Sequence, residues 1–253
     1  EDLSSGIPMR RVLQGDVGSG KTLVALTGMI QAAVDGYQSA MMVPTEVLSE
    51  QHFMTLRNFF SDSNSIPMME GLPNVIETKL QGSDNKLTIA LLNGSLGNRE
   101  KTLTQEIIRS GQADIIVGTH ALIQDSINIP NLALLVVDEQ HRFGINQKNV
   151  FDHIEPRPHL LLMSATPIPR SLYFTMIGDL DLSVIDQMPV GRKPIQTYVY
   201  EQDKRDEVHR FIRKEIFKGR QAFVVCPLIE ESESLQSRAA VEEYEKLMGE
   251  SVI

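Results

Sequence analysis

The 253 residues carry 24 Lys and Arg against 33 Asp and Glu, a net charge of −9 that argues against a broad electropositive surface for nucleic acid. A single cysteine excludes a disulfide framework, the six histidines show no zinc-ligand spacing, and no apolar run approaches the roughly 18 residues of a membrane span. The length corresponds to about 1.7 average domains. The first residues, Glu1-Asp2-Leu3, show neither an initiator Met nor a signal pattern, so the chain is expected to be a piece of a longer protein from a reducing compartment.

In chain order, residues 11–14 read as a buried strand and 22–33 as a helix. Between them stands Gly15-Asp16-Val17-Gly18-Ser19-Gly20-Lys21-Thr22. The pattern G-x-x-x-x-G-K-[ST] needs its glycines so that successive backbone N–H groups can turn inward around phosphates at a helix N-terminus. Lys21 would reach the β- and γ-phosphates of a nucleoside triphosphate, and the Thr22 hydroxyl would hold Mg²⁺. Residues 40–43 then read as a strand, 46–60 as a helix and 61–86 as a long surface loop. A strand over 87–92, a helix over 98–109 and a strand over 114–117 follow.

The apolar run 132–137 has the pattern of a strand covered on both faces, and it ends in Asp138-Glu139-Gln140-His141. Asp138 at such a strand end can hold Mg²⁺ opposite Thr22, and Glu139 stands where a base could activate water, which favours hydrolysis. Further strands are predicted at 159–163, 195–200 and 221–226, the last burying Cys226. Helices are predicted at 170–177, 203–218 and 242–248. The alternation of strands and helices implies a doubly wound α/β sheet, with a boundary near residues 189–194.

The motifs together resemble the superfamily-two helicases and, within them, the RecG family of bacterial branch-migrating DNA helicases. The first motif is Leu13-Gln14-Gly15-Asp16-Val17-Gly18-Ser19-Gly20-Lys21-Thr22, and Val43-Pro44-Thr45-Glu46-Val47-Leu48-Ser49-Glu50-Gln51-His52 is similar to motif Ia. Leu92-Asn93-Gly94-Ser95-Leu96 and Val117-Gly118-Thr119-His120-Ala121-Leu122 follow as in that family. Asp138-Glu139-Gln140-His141-Arg142-Phe143-Gly144 resembles motif II and Met163-Ser164-Ala165-Thr166-Pro167-Ile168-Pro169-Arg170 motif III. Val225-Cys226-Pro227-Leu228-Ile229-Glu230-Glu231 is similar to the opening of a second motor domain. The competing family, the transcription-repair coupling factor Mfd, usually has Tyr at the place of Ser19 and Asp-Glu-Glu-Gln at 138–141. A non-catalytic ATP-binding scaffold would have no use for Lys21, Asp138 and Glu139 together.

The resemblance implies a RecA-like P-loop NTPase motor domain over residues 1–190 and the beginning of a second RecA-like domain over 191–253. It implies an ATP-dependent DNA helicase, with ATP and Mg²⁺ as cofactors and branched double-stranded DNA, such as forks and Holliday junctions, as partner. A monomer in the bacterial cytoplasm, without membrane contact, is expected. Thr45, Gly94, Ser95, Thr119 and His120 would line the DNA track, and Gln140, His141, Ser164 and Thr166 would couple it to the nucleotide. Taken singly, Thr45 and Ser95 could equally be helix caps, and Ser164 and Thr166 could satisfy only local backbone groups. The family's adenine-recognition motif, γ-phosphate arginines and junction-gripping wedge domain have no counterpart within the sequence. Weak ATP turnover and weak fork binding are therefore expected of this segment alone.

Overall fold

A computed structural model of the protein describes residues 2–60, 72–79, 86–119, 122, 127–138, 156–166, 180–187, 195–226 and 240–249. The chain divides into two compact units, Glu1–Arg192 and Lys193–Ile253.

The first unit holds one sheet of eight strands. These are β1 (Arg10–Gly15), β2 (Gln38–Met42), β3 (Val75–Lys79), β4 (Lys86–Leu92), β5 (Ile115–Gly118), β6 (Leu132–Val137), β7 (His159–Ser164) and β8 (Asp181–Ile185). Their spatial order is β3-β4-β5-β2-β6-β7-β1-β8, with β3–β4 antiparallel and every other neighbouring pair parallel. This is the doubly wound, mainly parallel sheet that the alternating pattern predicts.

The inner strands are apolar on both sides because helices cover both sides. Met41, Leu91, Val117, Val136 and Leu161 point to one face, against α1 (Lys21–Val34) and α2 (Glu46–Phe60), which contribute Leu26, Met29, Phe53 and Leu56. Their neighbours Met42, Leu92, Ile116, Val137 and Leu162 point the other way, toward Ile107 and Ile108 of α3 (Asn98–Arg109). Each such side chain removed from water contributes about 1.5–3 kcal/mol. Gln38, 2% exposed within β2, is tolerated because its amide is used in full view of the backbone. Its Nε2 donates to the carbonyls of Ile108 and Ala113, and its Oε1 accepts from Asn131 N–H.

Register fixes where the strands end. Leu92, Gly118, Met42, Val137, Leu162 and Val12 form one continuous row across β4, β5, β2, β6, β7 and β1. β4, β5, β2 and β6 end at that row, while β7 and β1 run on to Ser164 and Gly15, and the residues just past these strand ends line a single edge of the sheet, at its carboxyl end. Ligands of open α/β sheets bind at such an edge, beside the point where the strand order reverses.

Three expectations are corrected. Residues 61–86 are not wholly a surface loop: β3 pairs with β4 and buries Val75 and Ile76 completely. Asn74, in the turn just before β3, ties it to its neighbours, its Nδ2 donating to the Leu91 carbonyl and to Thr104 Oγ1. β8 is a further strand that the pattern does not announce, because at the sheet edge its Leu182 and Val184 remain exposed.

In the second unit, residues 195–200 and 221–226 are not strands. An apolar run becomes a strand only with a ladder partner, and no described segment supplies one. Val199 and Val225 are accordingly 95% and 91% exposed, and Cys226 is half-buried rather than a core thiol. The helices predicted there do form, as α4 (Arg205–Phe217) and α5 (Ala240–Gly249). Arg205 of α4 pairs with Glu243 of α5. The predicted helix 170–177 and most of the boundary 189–194 lie outside the described residues.

Candidate functional site

β1 ends at Gly15 and α1 begins at Lys21, so the glycine-rich stretch is the turn between them. Gly18 and Gly20 have φ of 77° and 95°, a region open to glycine at no cost and strained for other residues. Gly20 is the residue that starts α1, and no side chain caps it. The first turn of α1 also holds no acidic residue. Its outward N–H groups and the positive end of its dipole are therefore left for an anion to satisfy.

Lys21 folds back over this turn. Its Nζ donates to the carbonyls of Gly15 at 2.7 Å and Asp16 at 2.9 Å. Asp16 braces the loop from within, its Oδ1 accepting from Val17 N–H at 2.7 Å and its carbonyl from Ser19 N–H. The Ser19 hydroxyl is buried and finds no partner among the described residues. An ammonium resting on two carbonyls beside an uncapped helix is a cradle for phosphate oxygens. Thr22 follows on the first turn of α1, half-buried.

Asp138 follows Val137, one residue past the register row and the end of β6. Two strand spacings separate β6 from β1, about 10 Å. The carboxylate is anchored rather than loose: its Oδ2 lies 2.9 Å from His52 Nε2, a residue of α2 distant by 86 positions in sequence. The two side chains are only 15% and 12% exposed. Asp138 N–H also donates to the Met42 carbonyl, tying the strand end down. The motif reading did not single out His52, since nothing local to it signals the contact.

Ser164 ends β7, between those two strands. Its hydroxyl lies within hydrogen-bond reach of Thr166 Oγ1 and the Thr166 carbonyl, and accepts from Thr166 N–H. The pair closes a local turn, as the local alternative for these residues describes.

Thr45, Gly94, Ser95 and Thr119 come together at the other end of the same edge, past β2, β4 and β5. Thr45 Oγ1 accepts from Leu48 N–H at 3.3 Å, so it caps α2, which leaves its hydroxyl proton to donate elsewhere. Ser95 Oγ sits 3.0 Å from Glu50 Oε1 and 2.8 Å from Asn93 Oδ1. Asn93, 1% exposed, donates in turn to Ser49 Oγ of α2. Glu139, Gln140, His141 and His120 lie outside the described residues. Among the described residues, no three His, Cys, Asp or Glu side chains gather to hold a metal by themselves.

Comparison with known proteins gives this arrangement a lineage. A family model described as DEAD/DEAH box helicase matches residues 8–173. The ATP-dependent DNA helicase RecG of Streptococcus pneumoniae is 46% identical over 97% of this chain and 33% of its own length. RecG of Bacillus subtilis is 43% identical over 97% of this chain and, again, 33% of its own. A solved structure of RecG bound to a three-way DNA junction superimposes with a TM-score of 0.72 at 39% identity, covering 99% of this chain and 30% of that one. The chain thus spans about a third of the length of the curated relatives it matches. With a RecA-like sheet, a phosphate-type loop at the carboxyl end of β1 and a family model over most of its first unit, the chain belongs to the DEAD/DEAH box helicase family.

Proposed function

We propose that the chain is the ATP-binding part of a DNA helicase of the RecG type, acting in the bacterial cytoplasm on branched duplex DNA such as forks and Holliday junctions. The observation that carries this reading is Lys21 folded onto the Gly15 and Asp16 carbonyls at an uncapped helix start, on the edge that also bears Asp138. Identity of 46% to a RecG helicase supports the choice of substrate, as does likeness to a RecG bound to a three-way junction. Residues 1–190 form the motor domain that holds nucleotide, and 191–253 begin a second motor domain.

The residues present fit MgATP. Lys21 Nζ, the loop N–H groups and those at the start of α1 would hold the triphosphate oxygens. The Thr22 hydroxyl and the Asp138 carboxylate would hold Mg²⁺, which would supply positive charge to offset that of the phosphates. Glu139, next along the chain, orients and deprotonates the attacking water. Ser95, Thr45, Thr119 and His120, with the Gly94 backbone, hold DNA phosphates without reading bases. That use of hydroxyls and amides suits a chain of net charge −9. Ser164 and Thr166, together with Gln140 and His141 of the motif that follows Asp138, carry the state of the nucleotide to the track.

Calorimetry with MgATP and phosphate-release assays test the assignment, with and without three-way junction DNA. Glu139→Gln is expected to bind nucleotide as the unmodified chain does and to turn it over at least about 100-fold more slowly. Loss of binding in Glu139→Gln would contradict the division of labour between loop and base.

A further inference from the structure

The contact between His52 and Asp138 serves no purpose in the reading above, yet it joins the metal carboxylate to a helix from another part of the sheet edge. An ionised carboxylate only accepts hydrogen bonds, so at 2.9 Å the His52 Nε2 carries the hydrogen and donates it to Asp138 Oδ2. That bond fixes the rotation of the carboxyl group and occupies one oxygen. The ring is itself held in place. α2 is pinned one turn earlier, where Ser49 Oγ accepts from buried Asn93 and Glu50 receives the Ser95 hydroxyl. With both partners at most 15% exposed, little water competes for the bond.

We propose that His52 is a positioning residue that holds the Asp138 carboxylate in the orientation Mg²⁺ requires, and that it does so from the helix that also supports the track residues at Asn93 and Ser95. This rests on the reading of Asp138 as a metal-holding residue. Partners that orient a metal-holding side chain commonly matter about 10–100-fold for metal affinity. A merely structural histidine would instead alter folding and leave the metal dependence untouched.

Binding of a fluorescent ATP analogue, titrated with and without Mg²⁺, separates these roles, with thermal melting as the control for folding. His52→Ala is expected to leave metal-free affinity unchanged and to reduce the Mg²⁺-dependent gain about 10-fold or more. His52→Gln, whose amide nitrogen can take the place of Nε2, should recover most of that gain. His52→Asn, too short to reach, should resemble the alanine variant and serves in its place if alanine fails to fold. A folded alanine or asparagine variant with the full Mg²⁺-dependent gain would overturn the proposal, as would an equal loss with and without metal. Asp138→Asn is measured beside them. If it too keeps the full gain, the metal role of Asp138 fails; if only the His52 variants keep it, the positioning role alone fails.

Discussion

The carboxyl edge of the sheet has two ends, and they treat their hydrogen-bond donors in opposite ways. At the nucleotide end, α1 starts at an uncapped glycine, with no acidic residue in its first turn and a buried Ser19 hydroxyl without a partner among the described residues. At the track end, the protein answers its own donors. Thr45 and Glu46 open α2, Glu100 accepts from Gly97 N–H at 3.1 Å at the start of α3, and Glu50 receives the Ser95 hydroxyl. Within the first unit, the starts of α2 and α3 are closed by side chains, and that of α1 is left open. The nucleotide end is ready before its ligand arrives. On the proposed reading, the Ser95 hydroxyl would have to leave the Glu50 carboxylate for a DNA phosphate, so that contact would cost an internal bond.

Removing the cation from the open end should produce the largest change. Lys21→Ala deletes charge-assisted bonds worth about 1.5–3 kcal/mol, so affinity for MgATP should fall roughly 10- to 100-fold by calorimetry. Binding at wild-type strength would mean that loop amides alone hold the phosphates. Gly118→Ala probes the closed end instead. A Cβ there would collide with the Leu92 carbonyl and come within 2.9 Å of the Leu122 side chain. Backbone cannot yield as a side-chain tip does, so a loss of about 1–3 kcal/mol in denaturant stability is expected. Unchanged stability would show that β4 and β5 separate freely beneath the track.

The smallest effect belongs to the opposite edge of the sheet, where His159 Nδ1 accepts from Met9 N–H at 2.8 Å. Burial holds the His159 pKa below its ordinary value, against an opposing pull from the Asp2 charge. The unfolded chain then takes up the proton first, so this contribution is complete above about pH 6.5 and is lost as pH falls below it. Melting temperature against pH should therefore decline less steeply between pH 7 and 5 in His159→Asn, whose amide oxygen can still accept from Met9. Identical slopes would remove His159 as the cause. Nucleotide affinity at pH 7.5 should be the same in both.

What could be read from sequence follows from where the physics is local. The phosphate-type loop is legible because only glycine takes φ near +90° without strain, and a lysine must follow at a fixed step. Asp138 is legible because it interrupts a run of six apolar residues. β3 is not, since Val75-Ile76-Glu77-Thr78-Lys79 has a polar second half and its pairing with β4 depends on the Asn74 turn. The strands expected at 195–200 and 221–226 fail for the converse reason: the pattern is local, but the ladder that makes a strand is not. His52 is the clearest case. Its meaning comes from α2 lying over the end of β6, and no spacing between positions 52 and 138 encodes that.

The account rests on α1 being open because an anion belongs there, and Leu23→Glu tests it most directly. Leu23 is 55% exposed in the first turn of α1, so the substitution disturbs no core and supplies the carboxylate that α2 and α3 already have. The variant should be more stable by about 0.3–1 kcal/mol, as a carboxylate at a helix start is. In the same preparation its affinity for MgATP should fall at least several-fold, while Glu100→Ala at the start of α3 leaves affinity unchanged. A Leu23→Glu chain that melts higher and still binds MgATP at full strength would contradict the assignment of this helix start to phosphate.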